Sequence, residues 1–221
     1  MAKPGRTVKL IAGCMIAAGA GVLLYTGYRV WDPSAGARQR AAQTDLTRSW
    51  GGAPTLPAPA RATAQPASVA CVAAGKQIPV GQVFAIIQIP AFGPDWKFTI
   101  IQGTSLAQLA TGPGHILGTA LPGQAGDVGI GAHDVTAGNP FLHLDSLRTG
   151  DTIVITTKEC VTTYRVYRQP FRVLYTDVSV LRPVGSTHTL TLVTCWPTGA
   201  LSFVNYRTIV QAAEASSVSR R

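Results

Sequence analysis

The strongest constraint on the fold is the run Thr189-Leu190-Thr191-Leu192-Val193-Thr194-Cys195, which is followed directly by Trp196-Pro197. Threonines alternating with large apolar residues suit a strand with one face in a core. Pro197 limits any continuation of that strand, so the Cys195 thiol is expected at a strand end, where it can meet a substrate. Upstream, the short β-like stretch Val128-Gly129-Ile130-Gly131-Ala132 leads into His133, and Arg207 follows Cys195 after twelve positions. A thiol, an imidazole and a guanidinium on three strands form a candidate thiol-transferase site. The imidazole in its charged form would favour the thiolate. Arginine stays charged at any working pH and can hold an oxyanion or position a peptide.

The pattern around these residues is mostly β. Strands are expected over 83–89, 97–102, 127–132, 152–157, 162–169, 171–175, 188–195 and 205–212. Turn signals such as Gly93-Pro94, Pro122-Gly123, Gly138-Asn139-Pro140 and Gly150-Asp151 separate them. Two short helical stretches are expected near 105–110 and 141–147. Eight closely spaced strands with few helices point to a mainly β domain over 76–221, a closed barrel or a sandwich, long enough for one sizeable core.

The first third of the chain reads differently. Residues 10–28 form a nineteen-residue stretch without a charge, bounded by Lys9 and Arg29, and a helix of that length spans a bilayer. Lys3, Arg6 and Lys9 favour a cytoplasmic N-terminus over 1–9, with the rest of the chain outside the cell. Cleavage as a signal peptide is the rival reading, but Ala35-Gly36-Ala37 lies well beyond the apolar run. Cys14 precedes most of that run, unlike the cysteine of a lipoprotein box. Residues 29–75 are rich in Ala, Pro, Gly, Ser and Thr and bury too little apolar surface to offset their ordering entropy. They read as a tether averaging about 40 Å end to end; the one stretch of it that could be helical, about 37–48, lacks a convincing apolar face.

Charge excludes one class of function. The net charge of +9 is concentrated in 1–75, with eight Lys/Arg against two Asp, whereas 76–221 holds eleven against eight. A nucleic-acid surface would need that excess on the folded domain with interleaved aromatics, so no nucleic acid is expected. No cofactor is implied. Asp127, Asp134, Asp145 and Asp151 are scattered and lack the spacing of a calcium loop, so no metal is expected either.

Several segments, taken in order, resemble the sortases, membrane-anchored cysteine transpeptidases of Gram-positive bacteria. Phe84-Ala85-Ile86-Ile87-Gln88-Ile89-Pro90 is similar to their first barrel strand. Gly112-Pro113-Gly114-His115-Ile116-Leu117-Gly118-Thr119-Ala120-Leu121-Pro122-Gly123 resembles a loop of the actinobacterial members. Phe141-Leu142-His143-Leu144-Asp145-Ser146-Leu147-Arg148-Thr149-Gly150-Asp151 resembles the element after the catalytic histidine, and Thr191-Leu192-Val193-Thr194-Cys195 is a close form of the TLxTC motif. The likeness covers nearly all of 80–212 and is greatest to class E, the housekeeping type of high-GC species.

The resemblance implies a sortase-like eight-stranded β-barrel with Cys195, His133 and Arg207 as catalytic residues and Thr194 and His115 at the substrate. It implies protein substrates with a C-terminal LAXTG- or LPXTG-type signal, cut between Thr and Gly, and a peptidoglycan precursor amine as acceptor. One departure stands out: the family's usual Ala-Gly-His-Arg is replaced by Gly131-Ala132-His133-Asp134, an acid in place of a base. A pilus-polymerising sortase and a non-catalytic, membrane-tethered wall-binding β-domain are the alternatives. A bond between Cys71 and Cys160 would tie the tether's end to the barrel, although four cysteines leave other connectivities open.

Overall fold

The computed structural model describes residues 15–25, 27, 34–52, 77–182, 187–199 and 204–220. Nine strands run in chain order: β1 (Val83–Gln88), β2 (Lys97–Gln102), β3 (Gly114–His115), β4 (Gly126–Gly131), β5 (Thr152–Thr157), β6 (Cys160–Val166), β7 (Phe171–Leu174), β8 (His188–Trp196) and β9 (Tyr206–Ser219). They form one sheet in the order β6-β5-β1-β2-β3-β4-β8-β9-β7, and a further pairing of β6 with β9 closes it. Eight strands therefore make a barrel. β7 continues the rim, pairing with β9 over Tyr206–Ile209, while β6 pairs with the same strand over Ala212–Ser219.

Alternation along the strands fills this barrel. Leu190 and Leu192 of β8, Val128 and Ile130 of β4, and Val210 and Ala212 of β9 are fully buried together with Ile87, Ile100, Ile153, Ile155 and Tyr164. Each large aliphatic side chain so buried is worth roughly 1.5–3 kcal/mol relative to exposure. The opposite face of β8 carries Thr189 and Thr191, whose hydroxyls both donate to Asp127 Oδ1 of β4, at 2.7 and 3.0 Å. Those two bonds fix the parallel register of β4 and β8 from the outer face, while the leucines fix it from within.

All eight expected strands are present. β3 was not anticipated, because two residues are too short for any pattern to register. β9 runs seven residues past the expected end: apart from Val218, Ala213 to Ser219 are poor strand formers, held extended by β6 on one side and, at Ala213, by β8 on the other. The expected helical stretches appear as α2 (Leu106–Leu109), with a Ser105–Gln108 capping box, and a short 3₁₀ turn over Leu144–Ser146.

The tether expected over 29–75 needs correction. Residues Ala35–Ser49 form a fifteen-residue helix, α1, docked on β1 and β2. Its contact face is amide rather than aliphatic. Gln39 is 5% exposed; its Oε1 accepts from Thr99 N and Oγ1 at 2.9 and 3.0 Å, and its Nε2 donates to Thr111 O. Gln43 Nε2 donates to Lys97 O at 3.0 Å. Gly112 has φ +147, a conformation L side chains rarely adopt, and a Cβ there would lie 2.2 Å from Gln39 Nε2, so a side chain at this position would force the Gln39 amide to shift.

Residues 15–25 are helical. Among the described residues no helix is long and apolar enough to cross a membrane; positions 10–14, 26 and 28 of the expected span lie outside them. Cys160 is disulfide-bonded, and Cys71 lies outside the described residues.

Replacing Gln39 with Ala removes the partner of two backbone groups and a buried hydroxyl. The expected cost is about 1–3 kcal/mol in denaturant unfolding, against no measurable change for Arg40→Ala on the exposed face. Equal unfolding midpoints for the two variants would mean that the amide contacts do not hold the helix.

Candidate active site

Strand register brings the three candidate residues abreast. β4 and β8 are parallel, with Gly131 opposite Val193, and Ala132 N donates to Val193 O at 3.1 Å. Two residues further along each strand, His133 therefore comes level with Cys195. On the other side β8 and β9 are antiparallel, and Cys195 is the direct partner of Arg207. In β8, Cys195 shares a face with Thr189, Thr191 and Val193, opposite the buried Leu190 and Leu192. The thiol thus faces away from the barrel core.

That outer face is walled by the chain following β7. Val180 O accepts from Thr191 Oγ1 at 3.4 Å and from Gln211 Nε2 at 3.1 Å, which pins the turn over Ser179–Leu181 against β8 and β9. Nearer the rim, the Arg207 guanidinium lies 5.8 Å above the Tyr175 ring. Its Nη1 donates to Val204 O and Tyr206 O, both at 2.9 Å. Arg207 is thus a held cation beside the thiol. Trp196, the residue after Cys195, stands edge-on to Tyr206 with ring centroids 5.9 Å apart, and Arg172 of β7 covers its ring at 4.3 Å.

Cys195 is half-buried and is the free cysteine among the described residues. Burial pushes its thiol up; the Arg207 charge opposes this, and the Asp134 carboxyl adds to it. Burial pushes the half-buried His133 imidazole down, against the upward pull of Asp134. Both groups are thereby biased toward their neutral forms, so the environment does not by itself supply the charged imidazole expected from the sequence. The thiolate–imidazolium pair is the minority state.

Of the other two expected site residues, Thr194 adjoins the row and His115 lies apart from it. Thr194 points to the inner side of β8, is 3% exposed, and donates from Oγ1 to Ala132 O at 2.9 Å. That bond braces the end of β8 against the end of β4, behind Cys195. His115 is 1% exposed. Its Nδ1 pairs with Gln102 Oε1 at 2.9 Å, and its Nε2 with Ala120 O at 2.9 Å and Thr119 Oγ1 at 3.0 Å. It fastens the glycine-rich loop after β3 and lines a cavity of about 300 Å³ with Gln77, Gln102, Thr119 and Gln124. None of Cys195, His133 and Arg207 borders that cavity.

A contact missed in the sequence joins the two loops beyond the strand ends. Asp134 is 3% exposed; Oδ1 accepts from Val135 N at 3.0 Å and Oδ2 from Gly199 N at 2.9 Å. Its only sequence signal was the acid standing where a base is usual. Among the described residues no group of three or more His, Cys, Asp or Glu side chains could hold a metal ion.

Comparison with known proteins places this arrangement. Residues 87–215 match the family model of the sortase domain. The chain is 30% identical to Sortase SrtE1 of Streptomyces coelicolor over 88% of its own length, and it spans about half, 55%, of that relative. Among solved structures, sortase E from Streptomyces avermitilis is 33% identical with a TM-score of 0.58, covering 64% of this chain and 93% of that one. Sortase E1 from Streptomyces coelicolor, solved with a tripeptide in the active site, is 30% identical with a TM-score of 0.56, covering 63% and 92% respectively.

The opposed shifts give a testable pH dependence. With the thiol raised and the imidazole lowered, the charged pair is most populated between their two values. Alkylation of Cys195 by iodoacetamide should still be climbing above the ordinary thiol range, near pH 8.5. Arg207→Gln removes the opposing charge and should move the midpoint of that climb further upward. A midpoint below the ordinary range in the unaltered chain would contradict this account of the site.

Proposed function

Because the chain belongs to the sortase family, we propose that it is a membrane-anchored cysteine transpeptidase working outside the cell. Its substrates are surface proteins with a C-terminal LAXTG- or LPXTG-type signal, and it joins them to a peptidoglycan precursor amine. The observation that carries this reading is the row of three side chains on neighbouring strands: His133 beyond β4, Cys195 on β8 and Arg207 on β9.

The reaction follows from their chemistry. The Cys195 thiolate adds to the carbonyl carbon of the signal's threonine, and the carbonyl oxygen becomes an oxyanion. Arg207, fixed at the rim by two backbone carbonyls, hydrogen-bonds that oxygen or holds the peptide beside it. Collapse breaks the Thr–Gly bond as the His133 imidazolium donates a proton to the departing glycine amine. A thioester on Cys195 remains. The acceptor amine then attacks the thioester, its proton passes to His133, and the thiol is released as the new amide forms. Water competes slowly at the same step. Half-burial of Cys195 restricts its access without closing the site to an amine.

The decisive experiment is mass spectrometry of the full chain in detergent after incubation with LAXTG and LPXTG peptides and an amine. The expected result is a mass adduct on Cys195 ending at the threonine, a Thr-joined product with the amine, and loss of both in Cys195→Ala. His133→Ala should lower turnover by at least about a hundredfold, the scale of a missing general acid–base. A folded chain with a reactive thiol and no adduct from either peptide would overturn the reading in favour of a wall-binding domain or a different signal.

A further inference from the structure

Beyond Gly131 and Val193 the regular pairing of β4 with β8 ends, yet the two reacting side chains lie past that point. Neighbouring chains leaving a sheet are free to splay unless something joins them. Here three bonds continue the junction: Ala132 N to Val193 O at 3.1 Å, Thr194 Oγ1 to Ala132 O at 2.9 Å, and Gly199 N to Asp134 Oδ2 at 2.9 Å. His133 stands between the first two and the third. Asp134 is the outermost fastening, and it reaches the loop just beyond the nucleophile across 65 positions of sequence.

We propose that Asp134 is a positioning residue, which clamps the loop following Cys195 to the loop following His133 and so holds the thiol and the imidazole in register. The proposal rests on the reading of that pair as catalytic. Its carboxyl is 3% exposed and is met by two backbone N–H groups, those of Val135 and Gly199. A buried carboxyl is costly unless its oxygens are satisfied. The two donors come from the two loops that carry the reacting residues, so satisfying the carboxyl and joining the loops are one event. A basic side chain here could not accept either bond.

The same group acts on the site through its charge. The charged neighbours that bear on the pair are Asp134 beside His133 and, from β9, Arg207 facing Cys195. Asp134 favours the protonated form of both His133 and Cys195, whereas Arg207 favours the thiolate. Removing the Asp134 charge therefore lowers both titrations and carries both limbs of the pH–rate profile toward acid.

Two substitutions separate the clamp from the charge. Asp134→Asn keeps one oxygen, which can accept from Gly199 N, and loses the charge and the bond from Val135 N; Asp134→Ala loses the charge and both bonds. In the full chain, the alkylation midpoint of Cys195, read on its own peptide by mass spectrometry, should fall in both variants. Amide exchange across 196–199 should stay slow in the Asn variant and accelerate in the Ala variant. With sorting-signal peptide and amine, each variant's profile should shift to lower pH, and the Ala variant's kcat at its own optimum should fall up to about tenfold below that of the Asn variant, the loss of one hydrogen bond between neutral groups.

Equal exchange rates and kcat in the two variants would overturn the proposal, and an unmoved alkylation midpoint in the Asn variant would overturn the charge effect of Asp134 on Cys195. Failure of the unaltered chain to turn over any peptide would count against the transpeptidase reading alone. The alkylation and exchange measurements would still decide the role of Asp134.

Discussion

Everything at the active site depends on one local arrangement, the parallel pairing of β4 with β8 beside the antiparallel pairing of β8 with β9. The chain between Gly131 and Thr187 must cross from one strand to its parallel neighbour, and it does so through β5, β6 and β7, which build the far side of the barrel and its rim. β9 pairs with β8 over Tyr206–Ala213, and its further half, Ala212–Ser219, pairs with β6 and closes the barrel. His133, Cys195 and Arg207 share a row because β8 stands between β4 and β9 in these registers. A slip of one residue between β4 and β8 would turn Cys195 away from the outer face and leave Asp127 without Thr189 and Thr191.

The two faces of β8 divide the work. Leu190 and Leu192 bury inward and supply the stabilising area; Thr189, Thr191, Val193 and Cys195 face the segment after β7. Thr194 breaks this division in a useful way. It lies on the inner face at the rim, where the core has ended and a hydroxyl can reach Ala132 O. An aliphatic residue there would fill space and leave that carbonyl without the hydroxyl. The threonine at this point in the motif thus has a structural role in the geometry behind Cys195.

Much of this was legible in the sequence because it rests on period-two alternation and turn residues. The eight strands and the strand-end position of Cys195 follow from such patterns, whereas His133 and Arg207 stand out with the help of the ordered motifs that resemble the family's. What escaped follows from other physics. Helix α1 docks through Gln39 and Gln43, an i, i+4 amide pair that a search for apolar periodicity passes over. His115 carried the chemistry of a site residue, but its ring nitrogens are both consumed by Gln102, Thr119 and Ala120 in a loop whose glycines hide how tightly it folds. Burial of that kind is decided by partners distant in sequence, and composition holds no trace of it.

The half-buried site faces a conflict of its own making. Burial disfavours both charges of the thiolate–imidazolium pair, and each reacting residue has one neighbour that opposes this: Arg207 for Cys195 and Asp134 for His133. Arg207 helps without cost to the imidazole, because its guanidinium is fixed on the far side of β8 by the carbonyls of Val204 and Tyr206. Asp134 helps the imidazole and hinders the thiolate together. A carboxyl at this position is therefore a poor choice on charge alone, and its retention in a buried, doubly hydrogen-bonded state is better accounted for by what it joins than by what it charges. The bond to Gly199 is the part of its role that a basic residue could not supply.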